Sequence, residues 1–354
     1  MKAWKLNGIG DIQYDKDVPE PKFAANEALV RVKAAGICGS DVQRVYVNGA
    51  HQMPLIIGHE FSGVVTAIGD KVSEKWVGKR VGIFPLIPCR QCQACLSKKY
   101  ELCSQYRYLG SRSNGGFAEY VSVPEWNLIE LPNNVTFEQA AMLEPMAVAV
   151  HAIRRLNITA DMSVAVCGMG TIGQLIVMFL LESGISNVYA IGNKAAQKES
   201  LMNLGLPTEH FYDMNEGNVH KWVGLKTSGH GVNVYFECVG KNETIALGLD
   251  IASAGGQVCL VGNPYSDINM NKDQYWKILR KQLVISGSWN SSYLGELDED
   301  ALSDDWNYVL SKLENGKIFP EKLNTHRLRL EELKAGLEIM RDKTEYYLKV
   351  MVID

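Results

Sequence analysis

Four cysteines crowd one short segment of this 354-residue chain: Cys89, Cys92, Cys95 and Cys103 follow the pattern C-x2-C-x2-C-x7-C. Four thiolates at this spacing can converge tetrahedrally on one zinc ion, in a lobe that needs little apolar core of its own. Two alternatives use the same residues. Disulfides would have to close very short loops, and a [4Fe–4S] cluster would lack its usual Cys-Pro ending. We therefore predict a closed, structural zinc site.

A second motif, Gly168-Met-Gly170-Thr171-Ile172-Gly173, has the form G-x-G-x-x-G. It directly follows an apolar run at 163–167 that is typical of a buried strand, and it opens a segment with helical character. In this context the glycines allow a tight turn and a close approach of a pyrophosphate to a helix N-terminus. The motif predicts a dinucleotide site built on Gly168, Gly170, Thr171, Ile172 and Gly173.

The end of the next predicted strand indicates which dinucleotide binds. NAD sites usually carry a carboxylate there, about 20 residues after the motif, which holds the ribose hydroxyls. This chain has Gly192, Asn193 and Lys194 instead. Without the carboxylate a 2′-phosphate meets no repulsion, and Lys194 offers it a cation. We therefore expect NADP to be favoured. The alternative is that Lys194 stays in solvent and NAD binds, less tightly.

Three further segments carry metal-competent side chains, namely Cys38, the pair His59 and Glu60, and Glu144. Each is weak alone, because a lone cysteine or histidine more often packs in a core. Together with the four cysteines and the glycine motif, in this order, they resemble the zinc-dependent medium-chain alcohol and polyol dehydrogenases, over essentially the whole chain. The resemblance implies a catalytic zinc on Cys38 and His59, completed by Glu60 or Glu144, with an open fourth position.

The resemblance also implies a route for the proton. Zinc in such a site lowers the pKa of a substrate hydroxyl, and Ser40, two residues after Cys38, matches the family's hydroxyl that passes the proton to the nicotinamide ribose. Gln43 stands where alcohol dehydrogenases that continue this relay often carry a histidine. An amide cannot accept the proton as a base, so the rest of the route stays open, with water as one candidate.

Three residues are candidates for contact with substrate: Arg44, His51 and Arg112. Their segments look most like the sugar-alcohol and polyol-phosphate members of the family, and the arginines could bind a phosphate or carboxylate; alternatively they are surface or interdomain arginines. The predicted function is reversible oxidation of a secondary hydroxyl of a polyol or a galactitol-1-phosphate-like polyol phosphate, with hydride transfer to NADP or NAD. The alternatives are a threonine or simple secondary-alcohol dehydrogenase, or a non-catalytic NADPH-binding protein.

The elements that must position these residues fall into two groups. The first third of the chain has short β-like runs broken by Gly, Pro and Asn, which predict a barrel-like β domain. From residue 161 apolar strands alternate with helices, which predicts a parallel sheet. After residue 287 we expect two helices and a final strand at 347–353 that returns to the first domain. The predicted α/β protein thus has a GroES-like, β-rich catalytic domain, 1–148 continued by 289–354, and a Rossmann doubly wound domain, 149–288.

The composition of the chain limits the classes of molecule that it can bind. The chain is 46% hydrophobic and 21% charged, with a formal net charge of −4, so it has no general attraction for nucleic acid or anionic membrane. The N-terminus lacks the apolar core of a signal peptide, and the apolar run at 175–181 is too short to cross a bilayer. We expect a cytoplasmic homodimer or homotetramer that acts on a small polar metabolite.

Overall fold

The computed structural model describes residues 1–295 and 303–354. The chain divides into two compact units. Unit 1 comprises Met1–Glu144 and Ser291–Asp354, and unit 2 comprises Pro145–Asn290. The boundaries predicted from the sequence differ from these by two to four residues.

The first part of unit 1 is mostly β-structure, because its short apolar runs alternate with turn residues. Its strands are β1 (Ala3–Gly8), β2 (Asp11–Asp15), β3 (Glu27–Ile37), β4 (Leu55–Ile56), β5 (Glu60–Ile68), β6 (Arg80–Ile83), β7 (Leu86–Ile87), β8 (Arg107–Tyr108), β9 (Tyr120–Pro124) and β10 (Leu128–Glu130). Its helices are α1 (Gly39–Gln43), α2 (Gln93–Leu96) and α3 (Phe137–Ala141).

Strands and helices then alternate through unit 2, after a helix that begins at its boundary. The helices are α4 (Leu143–Arg154), α5 (Thr171–Glu182), α6 (Ala195–Asn203), α7 (Val219–Lys226), α8 (Asn242–Ile251) and α9 (Lys272–Lys281). The strands are β11 (Val164–Cys167), β12 (Val188–Gly192), β13 (Phe211–Asp213), β14 (Val232–Glu237), β15 (Ala252–Leu260) and β16 (Val284–Gly287).

The chain then returns to unit 1 with α10 (Asp305–Glu314), β17 (Asn324–Leu328), α11 (Leu333–Asp342) and β18 (Lys349–Ile353). The sequence predicts the two helices and the last strand but not β17. This strand reads Asn-Thr-His-Arg-Leu and, among the described strands, pairs with β18 at one edge of its sheet. It therefore lacks the apolar alternation by which strands are recognised.

Strand β3 organises unit 1. It pairs antiparallel with β5, β9 and β18. Six strands of the seven-stranded sheet run in the order β10-β6-β5-β3-β18-β17, and the seventh, β9, pairs with β3 outside this order. Side chains from these strands, among them Val30, Phe61, Val121 and Val350, form one buried core. The pairing of β3 with β5 brings the ends of two chain segments together, and both segments carry predicted metal ligands.

The sheet of unit 2 is parallel throughout, with the order β13-β12-β11-β14-β15-β16. Counted along the chain this is 3-2-1-4-5-6, the doubly wound order of dinucleotide-binding folds. The strand order reverses between β11 and β14, and the crevice at the carboxyl ends of these strands is where such folds bind ligands. The predicted α/β class, with a β-rich domain and a Rossmann sheet, is confirmed.

Within the described residues, the chain forms no helix that combines the length and apolarity needed to cross a membrane.

Candidate metal centres and cofactor site

The four cysteines of the 89–103 segment form one cluster. Their sulfurs all lie within 4.8 Å of one another, with 3.9 Å between Cys89 and Cys95 and 3.9 Å between Cys92 and Cys103. A tetrahedron with Zn–S bonds of about 2.3 Å has sulfur–sulfur edges of about 3.8 Å, whereas a disulfide needs about 2.05 Å. All four cysteines are free. The cluster therefore fits a tetrahedral metal ion, and the disulfide alternative is wrong.

Backbone N–H groups already favour thiolates in this cluster. The N–H of Cys89 points to the sulfur of Cys103 at 3.3 Å, and that of Cys92 points to the sulfur of Cys89 at 3.4 Å. Backbone N–H groups of Cys95 and Ser104 lower the pKa of Cys92 to about 6. Burial raises the pKa of Cys95 to about 12, so a metal ion must replace that proton for the fourth sulfur to bind.

A second cluster gathers Cys38, His59 and Glu60, whose ligand atoms all lie within 4.8 Å of one another. Cys38 follows β3 and caps α1, while His59 and Glu60 lie at the start of β5. The antiparallel register of these strands pairs Gly36 with Glu60, which brings the two segments together. Gly58 has φ +96, and a Cβ there would stand 2.7 Å from the Phe117 ring, so the turn into His59 requires glycine.

His59 is oriented by a carboxylate that the sequence analysis did not single out. Asp41 is fully buried, and its Oδ1 lies 3.4 Å from His59 Nδ1. Its Oδ1 also accepts a hydrogen bond from Arg44 Nη1 at 2.5 Å, and its Oδ2 accepts one from the Cys38 N–H at 3.1 Å. With Nδ1 facing the carboxylate, Nε2 is the ring nitrogen left for a metal. The sequence feature that could have pointed to Asp41 is the spacing Cys38-x-x-Asp41, which is typical of the cap at a helix N-terminus.

The charge around His59 favours a cation. Burial lowers the pKa of His59, but the negative charges of Asp41 and Cys38 outweigh burial and raise the pKa well above its usual value. Surroundings that stabilise a proton on the ring also stabilise a metal ion at its second nitrogen.

A buried lysine from the end of the chain pairs with Glu60. Lys349, in β18, contacts Glu60 Oε2 and also donates to the carbonyl of Ile37 at 3.3 Å. Both charged side chains are 2% exposed. A Cβ on Gly36 would collide with the Glu60 carboxylate and approach the lysine stem to 2.7 Å, so glycine leaves room for the pair. A lysine at the head of an otherwise apolar strand was the signal for this contact.

Glu144 lies beside this cluster, outside the group of atoms within 4.8 Å. Its Oε1 accepts a hydrogen bond from the Tyr108 hydroxyl at 3.0 Å, and the Tyr108 ring lies 5.9 Å from the His59 ring. Burial raises the pKa of Glu144, and the neighbouring Glu60 raises it further, while His59, Tyr108 and Lys349 lower it. The structure thus places a second carboxylate near the cluster and holds it with a tyrosine.

The side chains of this cluster match a divalent cation. Cys38 offers a sulfur, His59 an imidazole, and Glu60 and Glu144 carboxylates, while Lys349 contacts Glu60 and Arg44 pairs with Asp41. Sulfur, imidazole and carboxylate ligands are also the mixture found at catalytic zinc sites. The residues present therefore fit a catalytic zinc.

The remaining predicted residues of unit 1 lie in two places. Ser40 and Gln43 are half-buried in α1, which Cys38 caps. His51 is exposed, and burial, then the charges of Arg112 and Arg44, lower its pKa. Arg112 lies over the Tyr106 ring, 4.5 Å from its centroid. Arg44, however, is bound to buried Asp41, so the structure gives it a role in orienting the metal cluster.

The glycine motif forms the turn between β11 and α5. Gly168 has φ +99, which suits glycine, and Gly170 caps α5 with no atom within 4 Å of an added Cβ. A Cβ on Gly173 would collide with the Gly168 carbonyl, so the helix packs directly on the turn. Thr171 and Ile172 begin the helix. Each glycine thus has the environment that a pyrophosphate-binding turn requires.

The end of β12 is filled by neighbouring side chains. Gly192 is buried, and a Cβ there would lie 2.6 Å from Gln197 Oε1 and 2.9 Å from the Phe211 ring. Asn193 and Lys194 follow as an exposed turn, and Lys194 caps α6. The sequence suggested open space at Gly192, and the structure shows packed side chains instead.

A β-rich unit with a mixed-ligand cluster and a four-thiolate lobe, followed by a doubly wound dinucleotide fold, defines a zinc- and nucleotide-dependent oxidoreductase. Comparison of the sequence with protein-family models agrees with this class. The model of the alcohol dehydrogenase GroES-like domain matches residues 24–133, and that of zinc-binding dehydrogenases matches residues 171–314. The chain belongs to the zinc-binding alcohol dehydrogenase family.

Two characterised relatives differ in substrate. Galactitol 1-phosphate 5-dehydrogenase of Escherichia coli K12 is 32% identical over 323 residues, 90% of each chain. L-threonine 3-dehydrogenase of Bacillus licheniformis is 31% identical over 330 residues, 92% of this chain and 91% of the relative.

Solved structures share the whole fold. The galactitol-1-phosphate dehydrogenase structure from E. coli superposes with a TM-score of 0.90 at 31% identity over 100% of both chains. A zinc-binding dehydrogenase of Sinorhizobium meliloti 1021 bound to NADP has a TM-score of 0.89 at 28% identity, over 100% of this chain and 99% of that one. An alcohol dehydrogenase of E. coli CFT073 complexed with NADH has a TM-score of 0.89 at 25% identity, with the same coverage. Relatives of this fold thus bind either dinucleotide.

Proposed function

We propose that this protein is a zinc-dependent dehydrogenase that reversibly oxidises a secondary hydroxyl of a polyol or polyol phosphate, with hydride transfer to NADP or NAD. The observation that supports this function is the cluster of Cys38, His59 and Glu60, whose ligand types suit a catalytic zinc. Retention of these ligands speaks against the non-catalytic NADPH-binding alternative.

Cys38, His59 and a carboxylate would hold the zinc, which when bound acts as a Lewis acid on the substrate oxygen. Asp41, whose Oδ1 lies 3.4 Å from His59 Nδ1, would orient His59 so that Nε2 faces the metal. Lys349 holds one oxygen of Glu60, and Tyr108 holds one oxygen of Glu144. Ser40 is proposed to pass the substrate proton on, with Glu60 or Glu144 as the third protein ligand.

The substrate proposal rests on Arg112 and His51. Arg112 stacks on Tyr106, and its charge lowers the pKa of His51, so Arg112 offers a cation that suits an anionic group such as phosphate. The E. coli relative named for galactitol 1-phosphate supports the same class. The threonine relative supports the alternative, an amino acid whose carboxylate Arg112 would bind.

Steady-state kinetics on matched substrates test this proposal. We expect galactitol 1-phosphate to be oxidised with a higher kcat/KM than galactitol, and L-threonine to be a poor substrate. A charge-assisted contact contributes about 1.5–3 kcal/mol, so Arg112→Ala should raise the KM of the phosphorylated substrate about ten-fold or more and leave the neutral one unchanged. Arg107→Ala, which removes an exposed arginine in the same segment, is the control. Faster turnover of threonine or of neutral polyols would contradict the substrate class.

The cofactor proposal is that NADP is preferred over NAD by at least about ten-fold in kcat/KM, about 1.4 kcal/mol. It is supported by the absence of an acidic residue at Gly192 and by Lys194 at the cap of α6. Gly168, Gly170, Thr171, Ile172 and Gly173 are proposed to bind the pyrophosphate. Parallel assays with both dinucleotides test the preference, and equal or better use of NAD would refute it.

We propose a structural zinc for Cys89, Cys92, Cys95 and Cys103, since four thiolates leave no open position. A reducing compartment keeps such thiols free, which supports a cytoplasmic location.

A homodimer or homotetramer is proposed from the edge of the unit 2 sheet. Strand β16 ends that sheet, and Val284 and Ile285 are 55% and 39% exposed there. An exposed apolar edge strand favours pairing with a second copy. Val284→Lys should therefore reduce the mass measured by light scattering, while the control Leu225→Lys, at a 75% exposed site on α7, should not. Unchanged mass in Val284→Lys would exclude this edge as the interface.

A further inference from the structure

The end of β12 contains a side chain that accounts for the missing carboxylate. Gln197 lies in the first turn of α6, and its side chain reaches back towards the strand end, as Cβ atoms in a helix tilt towards the N-terminus. Its Oε1 stands 2.6 Å from the position that a Cβ on Gly192 would take. The Gln197 amide therefore occupies the place where an acidic side chain at residue 192 would begin.

The orientation of this amide is set by the backbone. Gln197 Oε1 accepts a hydrogen bond from the Asn193 N–H at 3.0 Å. An N–H can face only the oxygen of the amide, so the Nε2 group, which carries two donor hydrogens, is the part left to face other partners. Where NAD sites hold a carboxylate, this strand end thus holds a neutral amide whose oxygen is bound by the backbone and whose two remaining polar hydrogens are donors.

Hydrogen bonds from Asn215 also hold the turn at Asn193. Asn215 Nδ2 donates to the Asn193 carbonyl at 3.0 Å and to Asp213 Oδ1 at 2.8 Å. Asp213 is paired in register with Gly192 on the neighbouring strand. Its Oδ1 also accepts the Asn215 N–H at 2.9 Å. The nearest carboxylate of the adjacent strand is therefore engaged within its own turn, and Gln197 is the polar side chain fixed at the strand end.

We infer that Gln197 determines the choice between the two dinucleotides, an inference that rests on the proposed NADP preference. The Nε2 group donates to an oxygen of the 2′-phosphate, next to the cation of Lys194. A neutral amide neither repels the phosphate nor offers the paired carboxylate oxygens that bind both ribose hydroxyls. The preference for NADP then depends on Gln197 in α6 as well as on Gly192, which leaves space for the Gln197 side chain.

Gln197→Glu is the test, because it keeps the shape of the side chain and the acceptor for the Asn193 N–H while adding one negative charge. Dissociation constants of NADPH and NADH are measured by the fluorescence of the reduced dinucleotides, so the result does not depend on turnover. We expect NADPH to bind about 30-fold or more weakly in the variant, and NADH to bind as tightly as or more tightly than in the wild type.

Two controls isolate the cause. Lys198→Gln changes the net charge by the same amount at the next residue of α6, and it should alter the ratio of the two constants less than about three-fold, because consecutive side chains of a helix point in different directions. Gln197→Met keeps the volume and removes the amide. It should weaken NADPH about three- to ten-fold and leave NADH unchanged, while thermal unfolding shows that each variant is folded.

The outcomes separate the two proposals. A wild type that prefers NADPH, with the preference lost in Gln197→Glu and kept in Lys198→Gln, supports the inference. A wild type that prefers NADPH, with the preference kept in Gln197→Glu, overturns the role of Gln197 and leaves the cofactor proposal standing. A wild type that prefers NADH overturns both.

Discussion

Replacing Lys349 with methionine tests how the metal cluster is held together. The Lys349→Met change keeps the unbranched apolar stem of the side chain but removes its terminal ammonium, so Glu60, 2% exposed, loses its buried cation. Removing one partner of a buried ion pair typically costs about 3–5 kcal/mol. For a unit of 150–250 residues each kcal/mol corresponds to about 2–4 °C, so we expect the unfolding midpoint of unit 1 to fall by about 6–20 °C.

Zinc binding should reduce the loss of thermal stability in Lys349→Met. In the variant Glu60 has lost its buried cation, so a divalent ion at Cys38, His59 and Glu60 offsets a negative charge that Lys349 offsets in the wild type. Thermal unfolding is compared for protein with one zinc per chain, after mild chelation, and with two. We expect the second zinc to raise the midpoint of Lys349→Met more than that of the wild type.

A double-mutant cycle with Glu60→Gln provides the decisive comparison. Removing both charges eliminates the unpaired ion, so the double variant should be more stable than Lys349→Met alone. If Lys349→Met unfolds at the wild-type midpoint, or if the double variant is the less stable of the two, the charge argument for this cluster is wrong.

Four further outcomes can be checked with single variants. Cys92→Ser should lower the zinc content from two ions to one and reduce the melting temperature or disturb assembly, because a structural zinc contributes folding free energy; lost activity with unchanged stability and assembly would contradict a structural role. Ser40→Ala should lower the oxidation rate about 10²- to 10⁴-fold with little change in cofactor affinity, and equal rates across pH would show that solvent takes the proton unaided. Tyr108→Phe should release Glu144 and shift the visible spectrum of the Co²⁺-substituted site, because a partner that orients a metal-site carboxylate tunes the metal; an unchanged spectrum would place Glu144 outside the metal's influence. Gly192→Asp should lower stability by about 1–3 kcal/mol, since its Cβ meets Gln197 and Phe211, and denaturant unfolding at the wild-type midpoint would show that the strand end has room.

The sequence by itself determined the features whose chemistry is local. Cys89, Cys92, Cys95 and Cys103 lie close enough along the chain for their spacing alone to predict one four-sulfur cluster. The glycine motif is equally local, because the strand, the turn and the helix that it requires follow one another directly. Alternation of strands and helices predicted the doubly wound sheet for the same reason. Cys38, His59 and Glu60 were found through family resemblance, and a single pairing of β3 with β5 brings them together.

Only the tertiary structure decided which side chains support these groups. Lys349 reaches Glu60 across 289 positions of the chain because β18 pairs with β3, and no periodicity encodes that register. Tyr108 reaches Glu144 across 36 positions for a similar reason. In the sequence, glycine at position 192 suggests space at the strand end. In the structure, Gln197 of α6 and the Phe211 ring of β13 fill that space. Sequence patterns report which groups are present and which are near along the chain, whereas strand register and side-chain packing decide which charges and donors meet.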